Sequence, residues 1–254
     1  MSLQLLKAKE LGSLRLAVAR MPAGTVMHRE TCPDGQFWLT LTGHWKVEIG
    51  KDNGLSGPTD VQFYRPVQAA RRVALEDSIG FSVQIRPAIF EEPMARWSKE
   101  SSLAMSPLRR LFKQFMAATI SPLVAEEIVA DLLADSELPS PGKLKMSRTV
   151  ADATDILNQQ FRSEIGLTQI AAAVRVSPAY LSSAFRSVHR VTLTEYRRAL
   201  RLSAVLSTVT SHSEPLGQAC VGAGFYDTSH FFRAFRQTYG FTPAKLNELF
   251  SAES

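Results

Sequence analysis

The stretch GFYDTSHFFRAFRQTYGFTP, Gly224 to Pro243, concentrates the side chains best suited to binding chemistry. Asp227 is a residue type that caps helix starts. In a helix beginning after it, at about 100° per residue, Phe231, Ala234, Phe235 and Thr238 share one face. Ser229, Arg233, Arg236 and Gln237 fall on the other, with Phe232 at the boundary, and Gly240 supplies a left-handed stop. Two guanidinium groups on the open side of a helix anchored by phenylalanines suit charge-assisted bonding to phosphates or to a guanine edge. Taken alone, the same pattern also describes an ordinary amphipathic helix.

An internal repeat separates the two readings. The segment RVSPAYLSSAFRSVHRVT, Arg175 to Thr192, carries Leu181, Ala184 and Phe185 at an offset of 50 residues from Phe231, Ala234 and Phe235. Arg186 matches Arg236, Ser177 matches the cap Asp227, and Thr192 matches Thr242. Each copy follows a short Ala-containing helix and a tight turn, LTQIAAAVRVS (Leu167 to Ser177) and PLGQACVGAGFYD (Pro215 to Asp227). That is a helix-turn-helix unit, whose second helix enters the major groove. Between the copies, TLTEYRRALRLSAVLS (Thr192 to Ser207) reads as one helix about 24 Å long. A rod of that length can set two recognition helices on adjacent major-groove faces, about one duplex turn apart.

Residues 147–250 resemble the DNA-binding domain of the AraC/XylS family of bacterial transcription regulators. The resemblance is carried by Ile170-Ala171, Ser177-Pro178, Tyr180-Leu181, Phe185, Tyr196, Arg201-Leu202 and Ala204. It continues through Gly224-Phe225, Asp227, Ser229-His230-Phe231, Arg233-Ala234-Phe235, Gly240 and Thr242-Pro243. It implies two helix-turn-helix units, residues 167–188 and 215–239, acting on double-stranded DNA and working with RNA polymerase. It implies base-facing positions at Ala179, Ser182 and Ser183 in the first unit and at Thr228, Ser229, Phe232 and Arg233 in the second. Arg233 suits a bidentate contact to guanine. Phe232 is open between a thymine methyl and partial burial, and Ser229 between a base and a phosphate. Arg186, Arg190, Arg197, Arg198 and Arg236 are expected at phosphates, the alternative being a solvated surface. The first unit departs from the family pattern. Arg175 and Arg190 stand where a turn glycine is common, at a cost on the order of 1 kcal/mol each. Ser183 stands where an arginine usually points at the bases, so the second unit is expected to supply most of the discrimination.

The elements ahead of this domain are of another kind. From about Leu14 to Ile85, segments such as FWLTLTG, HWKVEIG, TDVQFYRP and SIGFSVQIRP alternate with turn clusters CPDG, KDNG and LSGP. Short strands spaced in this way predict an antiparallel sandwich or barrel. Beyond Pro93, Ser106-Pro107 and Ser121-Pro122 each place a cap before a helix. Leu108, Leu111, Phe112, Phe115 and Met116 form the apolar stripe of the first, and Leu123, Val124, Ile128, Leu132 and Leu133 that of the second. DSELPSPGK, Asp135 to Lys143, reads as a linker. The fold class is thus α+β in two domains: a β domain over 1–95, a helical dimerisation or linker region over 96–140, and the all-α domain over 147–250.

The β part resembles, more loosely, the cupin-like sensor of the same family, with Thr42-Gly43 fitting its hairpin. That resemblance implies a small effector of unknown identity and a homodimer through the two helices. Arg65, Arg71 and Arg72 are expected either to hold an anionic effector or to form a solvated rim. No metal or other cofactor is expected. A cupin metal site needs two or three histidines and a carboxylate. Here Arg29-Glu30 follow His28, Gln36 sits where a carboxylate would, and both His28 and His44 read as surface or lightly buried. Two enzyme readings are disfavoured: a DNA-alkylation repair protein needs clustered zinc cysteines, and only Cys32 and Cys220 are present, while a cupin-type enzyme, kept as the lesser alternative, lacks the ligand set. A co-regulator acting through protein contacts remains the alternative to a DNA reader.

Bulk properties agree. Residues 1–142 carry 16 Lys+Arg against 16 Asp+Glu, and residues 143–254 carry 13 against 8, so the formal excess of +5 lies entirely in the C-terminal part. A basic module beside a neutral one suits a polyanion binder joined to a sensor. No run of about 20 apolar residues is present, so no membrane partner is expected. Two distant cysteines favour a reducing cytoplasm.

Overall fold

The computed structural model describes residues 3–30, 32–50, 52–58, 60–87, 105–134, 148–189, 191–210 and 214–244. The linker Asp135–Lys143, Arg190 and the boundaries expected near residues 95, 140 and 147 lie outside them.

Among the described residues, nine strands form two antiparallel sheets. β1 (Gln4–Leu11), β2 (Leu14–Met21), β9 (Ser78–Ile85), β4 (Gly35–Thr42) and β7 (Val61–Tyr64) make a five-stranded sheet in the order β1-β2-β9-β4-β7. β3 (Val26–Arg29), β8 (Ala70–Ala74), β5 (Trp45–Ile49) and β6 (Asp52–Ser56) make a four-stranded one in the order β3-β8-β5-β6. The sheets face each other across Met21, Trp38, Trp45, Val47 and Tyr64. The outer face of the five-stranded sheet is covered as well, by α1 (Met105–Met116) and α2 (Pro122–Ala134). Burial on both faces explains why β2 and β4 read as nearly continuous apolar runs instead of alternating ones. Phe81 of β9 packs its ring 5.0 Å from Phe112 and 5.6 Å from Phe115 of α1. Trp38 lies flat against the backbone of β9, where a Cβ on Gly80 would come within 2.0 Å of the indole.

Several expectations are corrected here. KDNG is not a turn throughout, since β6 begins at Asp52 and the reversal falls at Gly50, φ +61°. β1 is hidden in the sequence because Lys7, Lys9 and Glu10 interrupt its apolar residues on a sheet edge; Lys7 Nζ donates to the Phe115 carbonyl at 2.8 Å and Lys9 Nζ to the Ile120 carbonyl at 3.4 Å. Thr42-Gly43 closes no hairpin: β4 and β5 belong to different sheets, and Gly43, φ +79°, makes the corner between them. Ser106 lies inside α1 instead of before it, whereas Ser121 does cap α2, accepting from the Val124 N–H at 3.4 Å. Leu123 is 76% exposed, because the buried stripe of α2 runs through Ala125, Ile128, Val129, Leu132 and Leu133. The stripe of α1 faces inward as expected, but it is spent within the chain.

The remaining helices are α3 (Arg148–Gln160), α4 (Leu167–Ala173), α5 (Pro178–His189), α6 (Leu193–Thr210), α7 (Leu216–Gly222) and α8 (Thr228–Tyr239). The sheet and these helices share one apolar core. Phe112, on α1, also meets Tyr239 at 6.2 Å and Phe241 at 5.5 Å between ring centres. α6 lies on β4, where the Gly43 N–H donates to Ser203 Oγ at 3.2 Å. The Tyr239 hydroxyl donates to the Leu41 carbonyl at 3.4 Å, and Lys113 Nζ to the Gln237 carbonyl at the same distance.

Candidate nucleic-acid interface

Both helix-turn-helix units are built as their residues dictate. In the first, the Gly166 N–H donates to Gln169 Oε1 at 2.8 Å at the start of α4, whose Ile170 and Ala171 are buried. Arg175 takes φ +59°, the left-handed turn expected of it. Ser177 Oγ then accepts from the Tyr180 N–H at 3.2 Å and starts α5. Leu181 and Phe185 are fully buried. Ala179, Ser183 and Arg186 are exposed, and Ser182 is half-buried.

In the second unit, α7 buries Ala219 and Cys220, and the turn that follows it passes through Gly224, φ +89°. A Cβ there would lie 2.4 Å from the Arg162 carbonyl oxygen and 3.0 Å from Arg201 Cζ, so the glycine is needed for space as well as for conformation. The Asp227 carboxylate accepts from the His230 N–H at 2.6 Å and caps α8, and Gly240 at φ +79° ends it. Phe231, Ala234 and Phe235 are buried, while Ser229, Arg233, Arg236 and Gln237 are exposed. Phe232 is 42% exposed, which matches its boundary position, and Thr228 is half-buried. Among the described residues, the guanidinium groups of Arg186, Arg233 and Arg236 have no protein partner. Tyr226, just before the cap, is 89% exposed; its place in the turn carries no periodicity that would single it out in the sequence.

α6 is the rod joining the units, 18 residues or about 27 Å long. Its arginines serve the protein more than the sequence suggests. Arg197 donates to the Ile165 carbonyl and Arg198 to Gln237 Oε1 at 2.9 Å. Arg201 is 7% exposed and gathers the turn between α3 and α4. Its Nε donates to the Phe161 carbonyl at 2.7 Å, and Nη2 to the Ser163 carbonyl at 2.8 Å, to Glu164 Oε1 at 3.1 Å and to the Arg162 carbonyl at 3.4 Å. Because Gly224 leans on both Arg162 and Arg201, this arginine fixes the first unit against the second. His189, at the end of α5, stacks on Phe185 with centres 4.3 Å apart and meets Thr154 Oγ1 at 2.9 Å. Burial pushes its imidazole down to about 4, so at neutral pH it is an uncharged packing group. Burial likewise pushes the Cys220 thiol up to about 11, away from thiolate chemistry.

In the β domain the three expected effector arginines are not brought together. Arg65 is exposed, and Arg71 faces outward and pairs with Glu48 at 3.1 Å. Arg72 is neither rim nor surface but buried between the sheets, because the two-residue alternation of β8 sends neighbouring side chains to opposite faces. His28 is exposed, and His44 is half-exposed against Glu76 at 2.6 Å. Among the described residues no cluster of three metal-ligating side chains occurs, and no helix is long and apolar enough to cross a membrane.

Comparison with known proteins follows this geometry. Residues 170–248 match the family model described as "Helix-turn-helix domain". The chain is 23% identical over 115 residues to the bifunctional transcriptional activator/DNA repair enzyme AdaA of Bacillus subtilis, covering 45% of this chain and 54% of AdaA. It is 28% identical over 115 residues to the transcriptional activator RhrA of Rhizobium meliloti, covering 44% and 36%. The HTH-type regulator GadX of Escherichia coli K12 is 27% identical over 96 residues, covering 37% and 34%. The chain therefore spans about half or less of the length of the curated relatives it matches. Among solved structures, ToxT of Vibrio cholerae is similar over 94% of this chain and 98% of its own, at 13% identity and a TM-score of 0.38. A cupin superfamily protein of Desulfitobacterium hafniense is similar over 34% of this chain and 78% of its own, at 9% identity and a TM-score of 0.32. The similarity to a helix-turn-helix domain is thus confined to the C-terminal part of this chain, residues 170–248.

Proposed function

We propose that this protein is a sequence-specific, DNA-binding transcription regulator in which α8 reads bases and α5 adds weaker contacts. The observation that carries the reading is the outward face of α8. Among the described residues, Arg233 and Arg236 have no protein partner, on a helix locked by buried Phe231 and Phe235. Arg233, with Thr228, Ser229 and Phe232, is assigned to base edges, and Arg186, Arg190 and Arg236 to phosphates. Arg197 and Arg198 contribute less than the sequence implied, since each already holds a protein acceptor. Ala179, Ser182 and Ser183 leave α5 without a long donor, which fits a minor share in discrimination.

The β domain is assigned the sensing role over residues 1–95, with 96–140 as the connecting region and 147–250 as the DNA-binding domain. An effector there would bias DNA binding through β4, whose outer face carries α6. The homodimer and the contact with RNA polymerase rest on the family resemblance, because the apolar stripe of α1 is covered within one chain. No enzymatic activity is assigned: Cys32 and Cys220 form no ligand set, and burial keeps Cys220 protonated.

Selection from random duplex DNA by the full-length protein at two salt concentrations tests this. Enrichment of a motif at both supports it. Binding that collapses with salt and enriches nothing would reduce the protein to phosphate contacts and favour the co-regulator.

A further inference from the structure

The first helix-turn-helix unit carries little charge for a reader of DNA. Residues 167–188 contain two charged side chains, Arg175 and Arg186, and no acid. Arg186 lies in the last turn of α5. Arg175 lies outside the helices, in the turn between α4 and α5, two residues ahead of the cap Ser177.

That turn is an unfavourable place for an arginine. Arg175 holds φ +59°. Its N–H donates to the Ala172 carbonyl at 3.1 Å, and the Val176 N–H to the Ala171 carbonyl at 3.0 Å, closing the end of α4. The second unit closes α7 in the same way. The Gly224 N–H donates to the Val221 carbonyl and the Phe225 N–H to the Cys220 carbonyl, both at 2.9 Å, with glycine in the left-handed position. Glycine takes that conformation freely, whereas a residue with a Cβ takes it at a cost. Contacts within the protein do not repay it. Arg175 is exposed, and among the described residues its guanidinium has no partner. The end of α4 and the start of α5 act on its charge in opposite senses, so the helix dipoles do not account for it. A strained residue that the fold does not need points to function.

We propose that Arg175 binds a DNA phosphate and supplies the cation that α5 lacks at its N-terminal end, where Ala179, Ser182 and Ser183 offer no long donor. The inference deepens the DNA reading above and rests on it. Two residues of chain keep the Arg175 Cα within about 7 Å of that of Ser177. A helix start set into the groove therefore brings this turn to the groove's rim. Along α5, Arg186 sits about 12 Å beyond Pro178. The major groove is about 12 Å wide, so cations at the two ends of α5 have a spacing that suits phosphates on its two walls. Phosphate is the ligand because the side chain starts from the turn and not from the face that carries Ala179 and Ser183.

The test measures equilibrium binding of the full-length protein to the selected duplex and to a scrambled one, from about 50 to about 200 mM salt. Arg175→Gly should weaken both duplexes alike, about three- to ten-fold near 0.15 M salt, and lower the salt slope by about one. Its urea midpoint should stay level or rise, because glycine suits φ +59°. Binding that falls while stability holds is a split that a purely structural role would not produce. Arg175→Asn, which also accepts a left-handed backbone, should match glycine, and Arg175→Lys should keep the parent slope. Unchanged affinity and slope in the glycine and asparagine variants overturns the proposal. So does a loss confined to the selected duplex, which would make Arg175 a base reader, or a loss that comes with a lower urea midpoint in both. A parent that binds duplex while the variants match it sinks the role of Arg175 alone, and a parent that binds no duplex sinks the DNA reading as well.

Discussion

Replacing Arg201 with leucine should loosen the joint between the two helix-turn-helix units. The guanidinium makes three bonds of 2.7, 2.8 and 3.1 Å and a longer one of 3.4 Å. A charge-assisted bond is worth about 1.5–3 kcal/mol net. Three discounts apply. Glu164 is 85% exposed in its side chain, so its pair with Arg201 contributes under about 1 kcal/mol. The carbonyls of Arg162 and Ser163 belong to an exposed turn, where water replaces part of what is lost. Leucine also keeps some apolar contact. The expected loss is therefore about 2–4 kcal/mol, read as a lower urea midpoint at unchanged slope. Because Gly224 rests on Arg162 and Arg201, duplex affinity should also fall about tenfold or more, with little change in far-ultraviolet circular dichroism. A loss under about 0.5 kcal/mol with unaltered duplex binding would refute the reasoning. It would mean that the α3–α4 turn holds its own shape.

Three other outcomes follow from the same structure. His189 is held neutral in the folded chain, with its imidazole at about 4 against an ordinary 6.5. The unfolded chain then binds the extra proton first, so this contribution is whole above about pH 6.5 and is lost toward pH 4, on the order of 3 kcal/mol. His189→Phe should flatten that part of the stability–pH curve in urea titrations. Gly224→Ala forces φ +89° on a residue with a Cβ 2.4 Å from a carbonyl oxygen and should cost at least about 2 kcal/mol, seen as a lower melting temperature. Phe112→Ala removes a ring that touches the sheet and the C-terminal helices together; a loss of about 3–5 kcal/mol and a split of one unfolding transition into two are expected in calorimetry.

The C-terminal elements were legible because local signals and packing agree there. Asp227, Gly240 and the spacing of Phe231, Ala234 and Phe235 each act within a few residues, and the structure uses them as read. The β domain was legible in class but not in detail. β1 escaped because an edge strand needs only one apolar face, and KDNG escaped because pairing with β5 overrides the turn preference of Asp and Asn. Arg72 illustrates the limit best. RPVQAARR shows three arginines in a row of charge, yet strand alternation buries one and exposes its neighbour, and that register is set by pairing with β3 and β5. The stripe of α1 was recognised as apolar, but nothing local says whether a second chain or this chain's own sheet will cover it. Arg197, Arg198 and Arg201 looked alike on one helix, and only their distance from the turn carbonyls separates anchors from free donors.

The most direct measurement compares Arg233→Ala and Arg236→Ala with the parent protein in duplex competition, using the selected site against a scrambled one across a salt series. The account predicts that Arg233→Ala loses about 1–3 kcal/mol of preference for the site. Arg236→Ala should weaken both duplexes alike and lower the salt slope by about one. An Arg233→Ala protein that keeps the full preference would contradict the central claim that α8 reads the bases.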